Sequence, residues 1–172
     1  MIVLDTNVVS EAIRPVPEAR VLRWLDAQAP EALWITAVTV GEIVHGVARL
    51  PDGRRRERLA ALIEEHVTTT FSGRVLAYDA DAARVGGTLL ALRERAGRPM
   101  SMADAQIAAI CRVHDATLAT RDVRDFAGTG VAVVDPWESP MPEPRGGLSQ
   151  ERRHPTSARR VEPPRRLRPG RR

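Results

Sequence analysis

Four acidic residues stand where a carboxylate can do chemistry. They are Asp5 after the apolar run IVL, Glu42 in TAVTVGE, Asp104 in SMAD and Asp122 in ATRD. We expect each acid at the carboxyl end of a strand or in the first turn of a helix. Those points lie along one edge of a parallel sheet, where open α/β folds bind ligands. The four acids, distant in sequence, should therefore converge in space.

Convergence of four carboxylates is costly without a counter-charge. Two carboxylates about 4 Å apart repel by roughly 4 kcal/mol at an effective dielectric constant of about 20. A raised pKa relieves the repulsion, but helix N-termini favour the ionised form, so a bound cation is the better explanation. Oxygen ligands without an organised set of His or Cys favour Mg²⁺ or Mn²⁺. Such a cation lowers the pKa of a bound water and stabilises charge on a phosphodiester, which predicts metal-assisted phosphodiester hydrolysis.

Two further polar residues lie beside these acids. Asn7 follows Asp5 by two residues, and Thr120 precedes Asp122 by two. Both side chains can hydrogen-bond ligand carboxylates from a second layer around the metal. A turn residue at Asn7 and a helix N-cap at Thr120 are alternatives that the sequence leaves open.

Helix capping is the alternative explanation of three acids. In a capping box, an acid three residues after the cap satisfies an unpaired backbone amide. The same spacing occurs in three pairs: Thr39 and Glu42, Ser101 and Asp104, and Asp122 and Asp125. For each of these acids taken alone, capping is the commoner role. Asp5 differs, because it directly follows a strand and has no helix to cap unless one begins at once.

The elements that position these residues follow from apolar periodicity. Five short aliphatic runs predict strands: Ile2 to Leu4, Leu33 to Ile35, Val75 to Ala77, Thr117 to Ala119 and Val131 to Val134. Stretches with helical spacing lie between them, including about 81–95 and 102–113. In the second of these, Cys111 is expected to be a small core residue. Alternating strands and helices predict a three-layer α/β/α domain with a central, mostly parallel sheet.

Length and charge predict one domain, residues 1–138, followed by a tail, residues 139–172. The chain has 172 residues, which suits a single core. The tail holds ten Arg and three Glu, a net charge of +7, which leaves −3 on the first 138 residues out of the total of +4. It is rich in Pro and poor in apolar residues, which predicts disorder. The tail either contacts RNA non-specifically or has no function.

The chain shows no sign of a membrane segment or of export. No uncharged run exceeds ten residues, whereas a membrane-spanning helix needs about 20 mostly apolar ones. The N-terminus lacks a secretory signal, and a single cysteine forms no internal disulfide. We therefore expect a cytoplasmic location.

Four longer motifs occur in order along the chain. They are MIVLDTNVVSE from Met1, ITAVTVGEIVHGV from Ile35, SMADAQIAA from Ser101 and LATRDVRDF from Leu118. The ordered set resembles the PIN-domain ribonucleases, in particular the VapC toxins and their FitB-like branch. The likeness runs from Met1 to about Trp137, and the Arg/Pro-rich tail departs from it.

The resemblance implies a PIN fold and a Mg²⁺- or Mn²⁺-dependent endoribonuclease, the toxin of a type II toxin–antitoxin pair. Asp5, Glu42, Asp104 and Asp122 match the family's acidic quartet. By that match Asp5 and Asp104 are the surest metal ligands, while Glu42 and Asp122 complete the site directly or through water. Thr120 matches a position that commonly carries Ser or Thr.

The resemblance also implies partners. Beside its RNA substrate, such a protein usually forms a homodimer and is inhibited by a small VapB-like antitoxin whose C-terminal segment enters the active-site groove, often by an arginine. The pair commonly binds its own promoter DNA through the antitoxin.

Two other functions stay open. The acids can bind a cation and an antitoxin without catalysis, as a module of a repressor complex. An aspartyl-phosphate phosphotransferase of the haloacid-dehalogenase type also places Asp after its first strand. That class has a second Asp two residues on, where this chain has Asn7.

Overall fold

Five parallel strands form the centre of the fold in a computed structural model, which describes residues 1–139. The predicted tail lies outside these described residues apart from Ser139. The strands are β1 (Ile2–Leu4), β2 (Leu33–Thr36), β3 (Val75–Leu76), β4 (Thr117–Ala119) and β5 (Val133–Val134). Their order is β3-β2-β1-β4-β5, and every neighbouring pair is parallel. The central strand β1 is therefore flanked by β2 and β4.

Six α-helices connect the strands within the described residues. They are α1 (Thr6–Ala12), α2 (Ala19–Asp26), α3 (Ala37–Ala48), α4 (Arg54–Glu65), α5 (Ala80–Arg95) and α6 (Met102–Val113). A 3₁₀ turn (Pro30–Ala32) precedes β2, and a π-helical turn (His66–Thr70) follows α4.

The helices cover both faces of the sheet. Successive strand residues point to opposite faces, so each strand contributes side chains to two cores. Val3 of β1 and Leu118 of β4 pack in one core cluster, with buried side chains of α5 and α6. Leu4 and Ala119, the next residues, pack in a second cluster with side chains of α1 to α4. The predicted three-layer α/β/α architecture is confirmed.

Small residues bring α5 close to α6, the helix that carries Asp104. A Cβ atom at Gly86 of α5 would lie 3.5 Å from the Cβ of Ala109 and 3.0 Å from the hydroxyl of Tyr78. Cys111 on α6 is fully buried, as predicted. Burial raises the pKa of its thiol to about 12, so this cysteine is a packing residue.

The predicted elements match the structure best at the centre of the sheet. β1, β4 and α6 have the predicted bounds, and α5 begins one residue earlier than expected. β2 extends one residue further to Thr36, while the outer strands β3 and β5 are shorter than predicted, with two residues each. Among the described residues, no helix is both long and apolar enough to cross a membrane.

Candidate active site

The candidate site lies at the carboxyl ends of β1 and β4. These strands are neighbours in the sheet, although most of the chain separates them. The strand order reverses between them, which is where α/β sheets open a crevice for ligands. The backbone pairing continues just beyond the strands: the amide of Asp5 donates to the carbonyl of Ala119 at 2.9 Å, and the amide of Thr120 donates to that of Val134 at 3.0 Å. Asp5 and Thr120 are thus fixed side by side.

Asp5 is the buried centre of the site, with 6% of its surface exposed. Its Oδ1 accepts a hydrogen bond from the amide of Thr6 at 2.7 Å. Its Oδ2 accepts from Thr120 Oγ1 at 2.6 Å and from Asn7 Nδ2 at 2.8 Å. The condition left open for Asp5 is met, since α1 begins at once with Thr6 and Asp5 is its N-cap. Capping and a place in the acidic site therefore coexist in one carboxylate.

Burial and neighbouring charge act on the ionisation of Asp5. Burial raises the pKa of its carboxyl, and the hydrogen bonds from Thr120 and from the Thr6 amide oppose this without cancelling it. The charges of Glu42 and Asp104 raise the same pKa further. Glu42 and Asp104 therefore both lie within electrostatic range of Asp5, as expected if the acids converge at this edge of the sheet.

Asn7 connects the first acid to the fourth. Its Nδ2 lies 2.8 Å from Asp5 Oδ2, 3.0 Å from Thr120 Oγ1 and 3.1 Å from Asp122 Oδ2. Its Oδ1 accepts a hydrogen bond from the amide of Arg121 at 3.3 Å. Asn7 belongs to α1, so the alternative of a turn residue is wrong. Its carboxamide holds Asp122 beside Asp5.

Thr120 is fully buried and ties the loop after β4 to the site. Its Oγ1 accepts from the amide of Asp122 at 3.1 Å and donates to Asp5. The N-cap alternative for Thr120 is wrong, because no helix follows β4 among the described residues. The predicted capping box of Asp122 and Asp125 is wrong for the same reason. There the amide of Asp125 donates to the carbonyl of Asp122 at 2.9 Å in a turn.

Glu42 reaches the site from α3. The helix begins directly after β2 with Thr36 as its N-cap, whose side chain accepts from the amide of Thr39 at 2.9 Å. Glu42 therefore lies in the second turn, and the expected first-turn position and capping box with Thr39 are wrong. Its Oε2 accepts a hydrogen bond from Thr6 Oγ1. The site thus gains a residue that sequence reasoning missed, since nothing in the sequence links positions 36 residues apart.

Asp104 is the third residue of α6, as predicted. Ser101 is the N-cap of this helix, and its Oγ accepts from the amide of Asp104 at 3.0 Å. The same hydroxyl lies 2.6 Å from Asp104 Oδ2, to which it donates. Capping by Ser101 at the predicted spacing is confirmed, and the charge of Asp104 still acts on Asp5.

The donor set agrees in chemistry with a hard divalent cation. Within residues 1–139 no three His, Cys, Asp or Glu side chains stand close enough to form a ligand cluster as arranged. Glu42, Asp104 and Asp122 each accept a side-chain hydrogen bond on one oxygen from a neighbouring hydroxyl or amide. Their second oxygens receive none from the described residues. Four carboxylates with oxygen atoms to offer are the ligands that Mg²⁺ and Mn²⁺ prefer.

A sequence model of one family covers the part of the chain that builds this site. The model, described as the PIN domain, matches residues 2–131, which include all four acids. The chain belongs to the PIN domain family. The family predicted from the four motifs is confirmed. The parallel sheet between two helical layers is the architecture of this PIN domain.

Relatives of this PIN domain include proteins described by their activity. The chain is 41% identical to the VapC ribonuclease Y4jK of Sinorhizobium fredii over 138 residues, which cover 80% of the chain and 99% of that protein. It is 39% identical to the toxin FitB of Neisseria gonorrhoeae over 137 residues, again 80% of the chain and 99% of that protein. A solved structure of FitAB bound to the IR36 DNA fragment superposes with a TM-score of 0.76 at 38% identity, covering 81% of this chain and 98% of the matched one.

Proposed function

We propose that this PIN domain is an endoribonuclease and the toxin of a type II toxin–antitoxin pair. The observation that carries the proposal is the placement of Asp5, buried at the carboxyl edge with Glu42 and Asp104 in electrostatic range and with Asp122 held through Asn7. Relatives at about 40% identity that are called a VapC ribonuclease and the toxin FitB support it.

The proposed cofactor is Mg²⁺, with Mn²⁺ as the alternative, held by Asp5, Glu42, Asp104 and Asp122. When bound, the ion supplies a Lewis acid and a water of lowered pKa for hydrolysis of a phosphodiester. The chain's own residues orient the acids: three hydrogen bonds fix Asp5, and Asn7 and Thr120 fix its position relative to Asp122. Asp5 has about four lone-pair positions and uses three of them, so one remains for a cation.

Cleavage of RNA with and without metal tests the activity. Purified protein should cut RNA in Mg²⁺ or Mn²⁺ and not in EDTA, and Asp5→Asn should lower the rate on the order of 100-fold or more while the circular dichroism spectrum persists. Asp81→Asn is the matched control, because Asp81 is an exposed acid in the first turn of α5. Cleavage that survives both EDTA and Asp5→Asn would overturn the proposal. Protein that binds Mn²⁺ and leaves every RNA intact would favour the non-catalytic module instead.

We also propose the partners that FitAB suggests: a small VapB-like antitoxin, promoter DNA bound only through that antitoxin, and a second copy of this chain. Support comes from the solved complex of FitAB with a DNA fragment. Co-expression with a small antitoxin encoded directly upstream should yield a complex that binds promoter DNA and has lost RNA cleavage, and this arrangement of genes is part of the proposal. Light scattering should give the mass of a dimer for the toxin alone. A toxin that binds the promoter equally well alone would contradict the assignment of DNA binding to the antitoxin.

A further inference from the structure

Three arginines from separate segments meet beside the acidic site, and we call them the arginine rim: Arg14 after α1, Arg20 in α2 and Arg121 after β4. Arg14 Nη1 lies 2.9 Å from Glu11 Oε2. The hydrogen bond from Arg14 is the first cause of a lowered Glu11 pKa, and the charge of Arg121 contributes to the same lowering. Arg14 and Arg121 therefore approach one carboxylate from segments over 100 residues apart.

Trp137 joins the other two members of the rim. Arg20 Nη1 donates to the carbonyl of Trp137 at 2.7 Å. The guanidinium of Arg121 lies over the indole ring, 5.4 Å from its centroid. Stacking on an aromatic ring orients a guanidinium and leaves its edge N–H groups available to a ligand.

Three acids near the rim accept structural hydrogen bonds. Glu11 is buried and accepts from the amide of Glu18 at 2.8 Å as well as from Arg14. Glu18 in turn caps α2, and Asp135 accepts from the amide of Trp137 at 2.8 Å. The three arginines are exposed, and the side chain of Arg14 has 62% of its surface accessible. The rim therefore presents three exposed guanidinium groups to solvent.

The rim borders the acidic site through the backbone of Arg121. The amide of Arg121 donates to Asn7 Oδ1 at 3.3 Å, and Asp122 is the next residue. Four carboxylates with one divalent cation leave a net charge of about −2, which repels the phosphates of an RNA strand. An RNA strand lying across such a site requires positive groups on its flank.

We propose that the arginine rim binds RNA phosphates that flank the bond to be cleaved. This inference rests on the proposed endoribonuclease function and adds where the substrate strand runs: past the C-terminal end of α1, the start of α2 and Trp137. A planar guanidinium can hold a phosphate by two parallel hydrogen bonds, which suits Arg for this contact.

Salt dependence of RNA binding tests the proposal. The full chain is titrated with a fluorescein-labelled single-stranded RNA in EDTA, which stops metal-dependent cleavage, over a series of KCl concentrations. For single strands, the slope of log K against log salt is negative, and its magnitude decreases by about 0.7 for each phosphate that the protein no longer neutralises. Arg20→Gln with Arg121→Gln should therefore reduce the slope by about 1.4. Arg84→Gln is the control, because Arg84 is exposed and pairs with Asp81 in α5, and it should leave the slope unchanged.

The controls keep the outcome independent of folding and of catalysis. Arg20→Gln alone, which removes one exposed guanidinium that bonds a single carbonyl, should reduce the slope by about 0.7 even if the double variant fails to fold. An unchanged slope in either folded variant overturns the proposal. Loss of affinity for an acidic protein partner in such a variant would then assign the rim to that partner and not to RNA. RNA cleavage that still depends on metal would then leave the endoribonuclease function standing, whereas a reduced slope without any cleavage would support the rim and count against catalysis.

Discussion

Thr120 donates a hydrogen bond to Asp5 across 2.6 Å, from Oγ1 to Oδ2, and both residues are buried. The parallel register of β1 and β4, in which Leu4 pairs with Ala119, brings these positions together. A charged acceptor makes this bond stronger than one between neutral groups. The contact fixes the one deeply buried acid of the site.

Thr120→Val should destabilise the fold and impair RNA cleavage. The substitution keeps the shape but removes the donor to Asp5 and the acceptor for the amide of Asp122. A buried hydrogen-bonding group left unpaired costs about 1 to 3 kcal/mol. We expect a loss of this size in the free energy of unfolding, measured by urea denaturation in EDTA. Thr120→Ser retains the hydroxyl and should preserve most of the stability and activity. Equal losses in the Ser and Val variants would assign the effect to packing.

Asn7→Asp should make the protein depend on a cation for its stability. The change keeps the shape but replaces a donor shared by Asp5 and Asp122 with a fifth negative charge. Like charges at about 4 Å repel by roughly 4 kcal/mol at an effective dielectric constant near 20. We expect a lower melting temperature in EDTA, recovered in part by Mn²⁺. Asn7→Ser, which adds no charge, should show little recovery, and a melting temperature of Asn7→Asp unchanged in EDTA would contradict the contacts assigned to Asn7.

Thr6→Val should weaken metal-dependent cleavage with little effect on the fold. Thr6 Oγ1 donates to Glu42 Oε2, and the Thr6 amide, which bonds Asp5, is unaffected by the substitution. Loss of a group that orients a metal ligand typically costs 10- to 100-fold in metal affinity or activity, so the Mn²⁺ concentration for half-maximal cleavage should rise about 10-fold. Thr6→Ser is the control with the hydroxyl retained. Identical Mn²⁺ titrations of the Val and wild-type proteins would show that this bond does not position Glu42.

Glu11→Gln should destabilise the protein at neutral pH and much less in acid. The hydrogen bond from Arg14, followed by that from the Glu18 amide, holds the pKa of Glu11 below its ordinary value of 4.5. The ionised group therefore stabilises the fold above 4.5, and this contribution is lost as the pH falls through the lowered pKa. Hydrogen bonds to charged groups contribute about 1.5 to 3 kcal/mol, so urea midpoints of the two proteins should differ at about pH 7 and converge as the pH falls below 4.5 and through the lowered pKa. A difference that stays constant over this range would contradict the ionic role.

Local sequence patterns predicted the centre of this fold correctly. The last two residues of β1 and of β4 are buried aliphatic residues on opposite faces, so both strands carry an apolar signal that ends where Asp5 and Thr120 begin. Ser101 caps α6 at the predicted spacing because capping is a contact within one helical turn. The capping predicted for Glu42 failed, since β2 extends to Thr36 and that residue caps α3 instead.

Sequence by itself determined the strands, most of the helices and three of the four acids at their ends, because periodicity and capping act over a few residues. Only the tertiary structure decided that Asn7 bridges Asp5 and Asp122, that Thr6 bonds Glu42, and that the arginine rim gathers around Trp137. The contacts of Asn7 with Asp122, Thr6 with Glu42 and Arg20 with Trp137 join residues 36 to 117 positions apart, and no local pattern records them. They follow from the strand order β3-β2-β1-β4-β5, which sets β4 against β1 and so brings the two ends of the domain to one site.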